Sequence, residues 1–444
     1  MSTSRDRRRY AYEMNVAAGL DRRCRSSGVM LTEENGIMKR SIAIVLALSL
    51  TMSMGACGST GEQKSDATAA AAAEATVDAA AAAADADAGK TASDATQGDV
   101  VADDTATTAA KPSGIENRKP LAGTEISITD IDPLLIGQVE NKDAATGCTV
   151  LICKDGMRAG LDVRGGGPAS RESQLLNPLM SAQMVHAIVL SGGSAYGLGT
   201  ANGVMSFLEE QGIGYDTGFA LVPLVAQADI YDLSVGDSKV RPDPEMGYAA
   251  AKQAFEAPNY QDGNYGAGCG ASVGKVAGMD YAMKTGIGSY AVQIGDLKIG
   301  AIVVLNALGD VYDWRTGEQI AGLLTEDKAA FRSTMEYMSS SIESKENKFT
   351  GNTTLAVVVT NAKFDKAQLC KIAGMAHDGY ARSINPVHTS ADGDSIYAVS
   401  VGEVSADQDL VGSLGAEVVS EAIIRAVYNA DGAYGLPAAG DFSE

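Results

Sequence analysis

Aromatic residues, basic residues and histidine are all scarce in this 444-residue chain. Phe, Trp and Tyr make up 5% with a single Trp, and 35 Lys and Arg stand against 56 Asp and Glu, a formal charge of −21. Nucleic acid affinity is carried largely by basic side chains, so this balance excludes a nucleic acid partner. Past residue 60 no apolar run reaches the ~18 residues that a membrane-crossing helix needs, which excludes a polytopic membrane protein. The three histidines, His186, His377 and His388, are scattered, and no cysteine pair has metal-ligand spacing. Neither a zinc site nor a Ser-His-Asp triad is expected from such a set. What is abundant is apolar and small: 45% hydrophobic residues and 50 Gly, enough for a sizeable buried core.

The N-terminal region reads as an address. Residues 38–57, MKRSIAIVLALSLTMSMGAC, pair Lys39 and Arg40 with an apolar run of signal-peptide length and end in a lipobox-like Met-Gly-Ala-Cys. Cys57 is expected to be the lipidated first residue of the mature chain, holding a soluble domain at the outer face of the bacterial cytoplasmic membrane through a lipid anchor only. Residues 1–37 precede that signal, so Met38 is read as the start of translation. Residues 58–118, rich in Ala, Asp, Thr and Ser, have no large apolar face to bury and read as a disordered tether. Beyond Cys57 the cysteines are Cys148, Cys153, Cys269 and Cys370, an even number that permits disulfides. Cys148 and Cys153, on one strand, point to opposite faces and are not expected to pair with each other.

From residue 119 to 444 strand and helix patterns alternate, giving one layered α/β domain without internal repeats. CTVLIC, HAIVL, YAVQIG, KIGAIVVLNALG, TTLAVVVTN and DSIYAVSVGE read as strands. Helices are expected through GTANGVMSFLEEQGI, PEMGYAAAKQAFEA, residues 326–344 (EDKAAFRSTMEYMSSSIES), KFDKAQLCKIAGMAHDGYARSI and GAEVVSEAIIRAVYNA. Two glycine-rich stretches are weighed and set aside. GAGCGASVGK lacks the Ser or Thr that follows Lys in a phosphate loop, and SGGSAYG has Tyr196 where a nucleophile elbow needs its second glycine.

FTGNTTLAVVVTNA, residues 349–362, places Asn352, Thr353 and Thr354 between a polar stretch and an apolar strand. A strand opening with two β-branched residues accounts for it. The alternative is a chain cut before Thr353, which would leave a hydroxyl and a free amine on one residue. The preceding SSSIESKENKFTGN is polar enough to be an exposed loop, so the junction would lie where a loop enters the core.

Seven collinear phrases bear on that choice: LLIGQVENKDAATGCTVLIC, GLDVRGGGPASRESQLLNP, VHAIVLSGGSAYGLGTANGVMSFLEEQGIGY, GAGCGASVGK, VVLNALGDVYD, GNTTLAVVVTNAKFDKAQ and MAHDGYARSINPVHTSADGDSIYAVSVG. Together, over about residues 122–438, they resemble the L-aminopeptidase/D-esterase (DmpA-like) family, which includes β-peptidyl aminopeptidases and nylon-oligomer hydrolases. The resemblance implies an αββα sandwich of the self-processing N-terminal-nucleophile type, cut here between Asn352 and Thr353 into residues 119–352 and 353–444. It also implies an amidohydrolase or aminopeptidase acting on small peptides or amino-acid amides, with the processed chains staying together in a homo-oligomer.

By the same resemblance, Asn306 in VVLNALGD matches an Asn that donates to the tetrahedral intermediate. Lys275, ending GASVGK, matches a lysine near the nucleophile. Asp392 and Asp394 in ADGDSIY match the acidic pair of the nylon-oligomer hydrolases, where the aminopeptidase/esterase members carry Ser and Glu. In an extended segment their spacing of two puts both carboxylates on one face, toward the Thr353 ammonium and hydroxyl. Tyr196 in SGGSAYG matches a pocket tyrosine that assists the oxyanion. No cofactor or metal is implied. Two rival readings are a non-catalytic surface-anchored binding lipoprotein and an acyltransferase of related fold.

Overall fold

The strands at the centre of the domain are apolar on both sides, and that pattern demands cover on both. In LAVVV, Leu355, Val357 and Val359 enter one core while Ala356 and Val358 enter another, as the two-residue period of a strand requires. The structure is a computed structural model that describes residues 118–340 and 351–442. The expected signal, Cys57, the tether up to residue 117 and the segment ahead of Met38 lie outside the described residues.

Ten strands carry the fold: β1 (Thr124–Ile126), β2 (Leu135–Asn141), β3 (Thr146–Val163), β4 (Ala169–Arg171), β5 (Val185–Ser191), β6 (Val225–Asp229), β7 (Ile287–Ile294), β8 (Leu297–Val304), β9 (Leu355–Ala362) and β10 (Ser395–Val404). They run in the order β1-β7-β8-β9-β10-β3-β5-β6-β4, with β2 also on β3. Pairing is parallel between β9 and β10 and between β5 and β6, and antiparallel elsewhere. The long β3 belongs to two layers. Its first half pairs with β2 and β5, its second with β10, and its register with β5 breaks between Ile152 and Met157.

Helices cover both outer faces: α1 (Thr200–Glu210), α2 (Pro244–Glu256), α3 (Lys366–Ser383) and α4 (Gln408–Tyr428). Three cores follow in order. Val150 and Val189 pack with Val204, Leu208, Ala250 and Ala254 of α1 and α2. Leu151 and Ile188 meet Ile302, Val357 and Tyr397 between the two sheet layers. Ile299, Ala356 and Val358 pack with Leu369, Ile372, Val418 and Ile423 of α3 and α4. The result is the expected αββα sandwich. Fully burying one such Leu, Ile or Val side chain contributes about 1.5–3 kcal/mol, so the three cores carry most of the driving force. Local signals fix the helix starts: Asp243 caps α2 ahead of Pro244, Asp365 and Gln368 form a capping box on α3, and Asp407 caps α4.

Several expectations shift. Of the helix expected over 326–344, the described part holds only Thr334–Ser339. Upstream, the Thr325 hydroxyl donates to Asp327 and the Asp327 carboxylate accepts from the Ala329 amide, local bonds that compete with helix formation. Strand β6 escaped notice in the sequence because its five residues sit inside an irregular stretch. Cys148 does face α1 and α2 while Cys153 faces the inter-sheet core, and all four of Cys148, Cys153, Cys269 and Cys370 are free thiols.

Arg118, placed by composition at the end of the tether, belongs to the fold. Its guanidinium donates to the buried Asp313 and Glu421 carboxylates, and Glu421 also accepts from Trp314 Nε1 at 2.8 Å and lies 2.8 Å from Arg315 Nε. Removing one member of a buried ion pair strands the other, at about 3–5 kcal/mol. Arg118→Met is therefore expected to cost about 3 kcal/mol in urea unfolding, the low end because Glu421 keeps two partners; a change below about 0.5 kcal/mol would remove Arg118 from the fold's support.

Candidate active site

Strand register brings distant residues to Thr353. Across the antiparallel β8/β9 pair, Val304 faces Leu355; continued two residues past the ladder, that register sets Asn306 beside Thr353. On the other side the parallel β9/β10 pair begins at Leu355 facing Ser395, and the same continuation sets Asp394 beside Thr354, Gly393 beside Thr353 and Asp392 beside Asn352. Hydrogen bonds agree with this alignment. The Thr353 amide donates to Asn306 O at 2.9 Å, the Ser395 amide to Thr354 O at 3.1 Å, and the Thr354 amide to Asp394 Oδ1 at 2.8 Å.

The Asn352 carbonyl lies at the focus of the arrangement. It accepts the Gly393 amide at 3.1 Å and also the hydroxyl of Thr353. Thr353 is 3% exposed and Asn352 1%. Gly351 and Asn352 were expected in an exposed loop, but both are buried, because the ladder's pairing begins ahead of the first residue of β9; residues 341–350 of that loop lie outside the described residues. A Cβ at Gly393 would fall 2.5 Å from Thr353 Oγ1 and 2.9 Å from Gly167 O, so glycine is needed for the backbone to approach the hydroxyl.

Lys275 closes the group from a third side. Its Nζ donates to Asn306 Oδ1 at 2.7 Å, Asn306 O at 3.2 Å and Gly351 O at 3.1 Å. Burial pushes its pKa down to about 7, opposed by the charges of Asp392, Asp232 and Asp394. Asn306 is fixed in turn, its Oδ1 accepting from the Ser272 amide at 3.1 Å and its Nδ2 donating to Tyr231 O at 3.1 Å.

The acidic pair lies directly ahead of β10, where Asp392 closes a turn with its amide on Thr389 O at 3.2 Å and Asp394 precedes the first strand residue, Ser395. Asp392 Oδ2 accepts from the Thr389 amide at 2.8 Å and its hydroxyl at 2.6 Å, a local bonding pattern that makes the turn. Burial, and then the neighbouring Asp394, raise the Asp392 pKa.

Thr353, Asn352, Asn306, Lys275, Asp392 and Asp394 thus come together, 119 residues apart at their extremes in sequence. Tyr196 does not join them. It is 64% exposed, with the Arg241 guanidinium 3.7 Å from its ring centroid, because the short 3₁₀ turn Ser194–Gly199 turns its side chain outward.

Two residues near the site were not singled out in the sequence. Asp232, buried behind Lys275, accepts from Thr146 Oγ1 at 2.6 Å and from the Gly193 amide at 2.7 Å, and burial raises its pKa to about 6. His388 holds Asp394 through Nδ1 at 2.8 Å. The one sequence signal for His388 was its place six residues ahead of Asp394, with nothing to say that the loop folds back on itself. Among the described residues no cluster of His, Cys, Asp and Glu is arranged to hold a metal ion.

The same span of chain that builds this site, residues 127–438, matches the profile of peptidase family S58. The chain belongs to peptidase family S58. Over 337 residues it is 36% identical to an uncharacterized aminopeptidase of Mycobacterium leprae, covering 70% of this chain and 92% of that one. It is 32% identical over 320 residues to a 6-aminohexanoate-oligomer endohydrolase of an Agromyces species, covering 68% of this chain and 86% of the other. In fold it is similar to the L-aminopeptidase D-Ala-esterase/amidase of Ochrobactrum anthropi, described as a variant of the Ntn-hydrolase fold, with a TM-score of 0.51 at 17% identity over 70% of this chain and 89% of that one. As a member of family S58 the chain is a hydrolase of the aminopeptidase/amidase kind.

Proposed function

We propose that this S58 hydrolase cuts its own chain between Asn352 and Thr353 and then uses Thr353 as an N-terminal nucleophile on small peptides or amino-acid amides. The observation that carries the reading is the Asn352 carbonyl held between the Thr353 hydroxyl and the Gly393 amide. In the first step Thr353 Oγ1 bonds to the Asn352 carbonyl carbon, the Asn352–Thr353 C–N bond breaks, and the hydroxyl proton passes to the departing nitrogen. Adjacency in the chain supplies a high effective concentration for this N-to-O acyl shift, and the Gly393 N–H supports the developing oxyanion. Water then hydrolyses the ester, leaving a carboxylate on Asn352 and a free amine on Thr353.

That amine has a reference pKa of about 7.7–8.0, near enough to neutrality to take the proton from its own hydroxyl. Nucleophile and base then reside in one residue, which removes the need for a triad histidine. Lys275 and Asn306 stabilise charge at the reacting carbonyl, and Asp392 and Asp394 orient the ammonium and hydroxyl of Thr353. The two chains stay together because β9 pairs with β8, and β10 with β3, across the cut. The further reading, that processed pairs assemble as a homo-oligomer held at the outer face of the membrane by lipid on Cys57, rests on the sequence alone.

Purified protein is expected to run as two chains on a denaturing gel, the smaller one starting at Thr353 by N-terminal sequencing and intact mass. A mature protein that remains one chain would point instead to a binding lipoprotein. Transfer of the acyl group to an added amine in preference to water would point to an acyltransferase.

A further inference from the structure

Behind Asp394 lies a polar cluster that the proposed chemistry leaves unused. The His388 ring Nδ1 is 2.8 Å from Asp394 Oδ2, and the His388 backbone amide donates to the same oxygen at 3.1 Å. The other carboxylate oxygen accepts the Thr354 amide. Asp394 therefore bridges His388 and the residue that follows the nucleophile. With backbone N–H groups on both of its oxygens Asp394 acts as acceptor, which places the His388 proton on Nδ1.

The surroundings restrict the ring further. From α3, the His377 ring packs edge-on with its centroid 4.8 Å away, and the Tyr380 ring lies at 6.0 Å. His377 Nε2 is 3.1 Å from Asp162 O. His388 itself adopts a left-handed backbone, φ 59°, a conformation that costs a non-glycine residue roughly 1 kcal/mol or more. That backbone folds the loop back so that both the amide and the ring of His388 reach one carboxylate oxygen.

We propose that His388 is a positioning residue for the nucleophile, acting through Asp394. The ring's hydrogen bond sets the carboxylate plane, the carboxylate fixes the Thr354 amide, and the peptide between Thr353 and Thr354 is thereby held with the Thr353 hydroxyl against the Asn352 carbonyl. The inference rests on the reading of Thr353 as nucleophile, and self-cleavage is its direct readout because it needs no added substrate.

The test uses full-length chain. His388→Gly accepts the left-handed backbone and removes the ring; cleavage at Asn352–Thr353 is expected to slow about 10- to 100-fold, the loss of one charge-assisted hydrogen bond. Added imidazole is expected to restore most of the rate by occupying the vacated space. His388→Asn, which tolerates the same backbone and offers an amide donor, is expected to cleave within a few-fold of wild type, whereas His388→Asp, isosteric with the Asn variant, sets a second carboxylate against Asp394 and is expected to block cleavage. Cleavage of His388→Gly and His388→Asp at the wild-type rate would overturn the inference. So would a slow His388→Gly that neither imidazole nor the Asn variant relieves. A wild-type chain that is not cut before Thr353 would instead remove the nucleophile reading beneath it.

Discussion

Thr353→Ala is expected to accumulate as a single full-length chain without amidase activity. The substitution takes away the hydroxyl that the geometry sets against the Asn352 carbonyl, and it leaves the strand intact because Ala fits a buried strand position. Removing a nucleophile from a hydrolase costs on the order of 10⁶-fold in turnover, so the residual rate should be at background. Thr353→Ser keeps a hydroxyl on the same carbon and is expected to cleave. A gel of the two variants, with intact mass, decides the matter: efficient cutting of Thr353→Ala would sink the assignment of Thr353. The uncut variant also supplies a single-chain background for the Arg118 measurement, free of dissociation between processed chains.

Lys275→Met is the second large effect. Met matches the length of the lysine stem, so its packing survives, while the buried Asp232, Asp392 and Asp394 carboxylates lose their counter-charge at some cost in stability. Chemistry should not survive as well. The variant loses the donor to Gly351 O, the carbonyl that precedes the scissile one, and to Asn306 Oδ1, and loss of this cation beside the reacting peptide is expected to slow cleavage about 10²-fold. It also removes the cation among Asp392, Asp394 and Asp232. A nearby positive charge disfavours the ammonium form of the Thr353 amine, so its loss raises the amine's pKa and shifts the acid limb of the pH–rate profile to higher pH. A Lys275→Met enzyme that cuts at the wild-type rate with an unmoved acid limb would show that Lys275 is structural.

The outcome for individual residues shows which kinds of information a sequence carries. The apolar runs of β8, β9 and β10 and the helices α2, α3 and α4 were legible because hydrophobic period is local, although α4 begins at Gln408, ahead of the expected Gly415. The separate faces of Cys148 and Cys153 followed from the period of a strand alone. By contrast, the helix expected over 326–344 was lost in its first part to Thr325 and Asp327, whose side chains bond the nearby chain in competition with the helix. Tyr196 was drawn toward the site by resemblance, yet a short 3₁₀ turn holds it in solvent beside Arg241. His388 gave the opposite error, since scattered histidines in sequence say nothing of a loop that folds back onto its own acidic residue.

For this protein the sequence by itself determined the layered α/β class, the family, and the segment that leads from Thr353 into β9, because hydrophobic periodicity, turn chemistry and motif order are written along the chain. Tertiary structure alone decided that Asn352 is buried, that Asn306 and Gly393 flank Thr353, that Asp394 reaches Thr354, and that Lys275 lies within a charged interior. Those relations depend on which strands become neighbours and in what register, and pairing between residues some 40 positions apart is set by the packing of whole sheets and not by any local pattern.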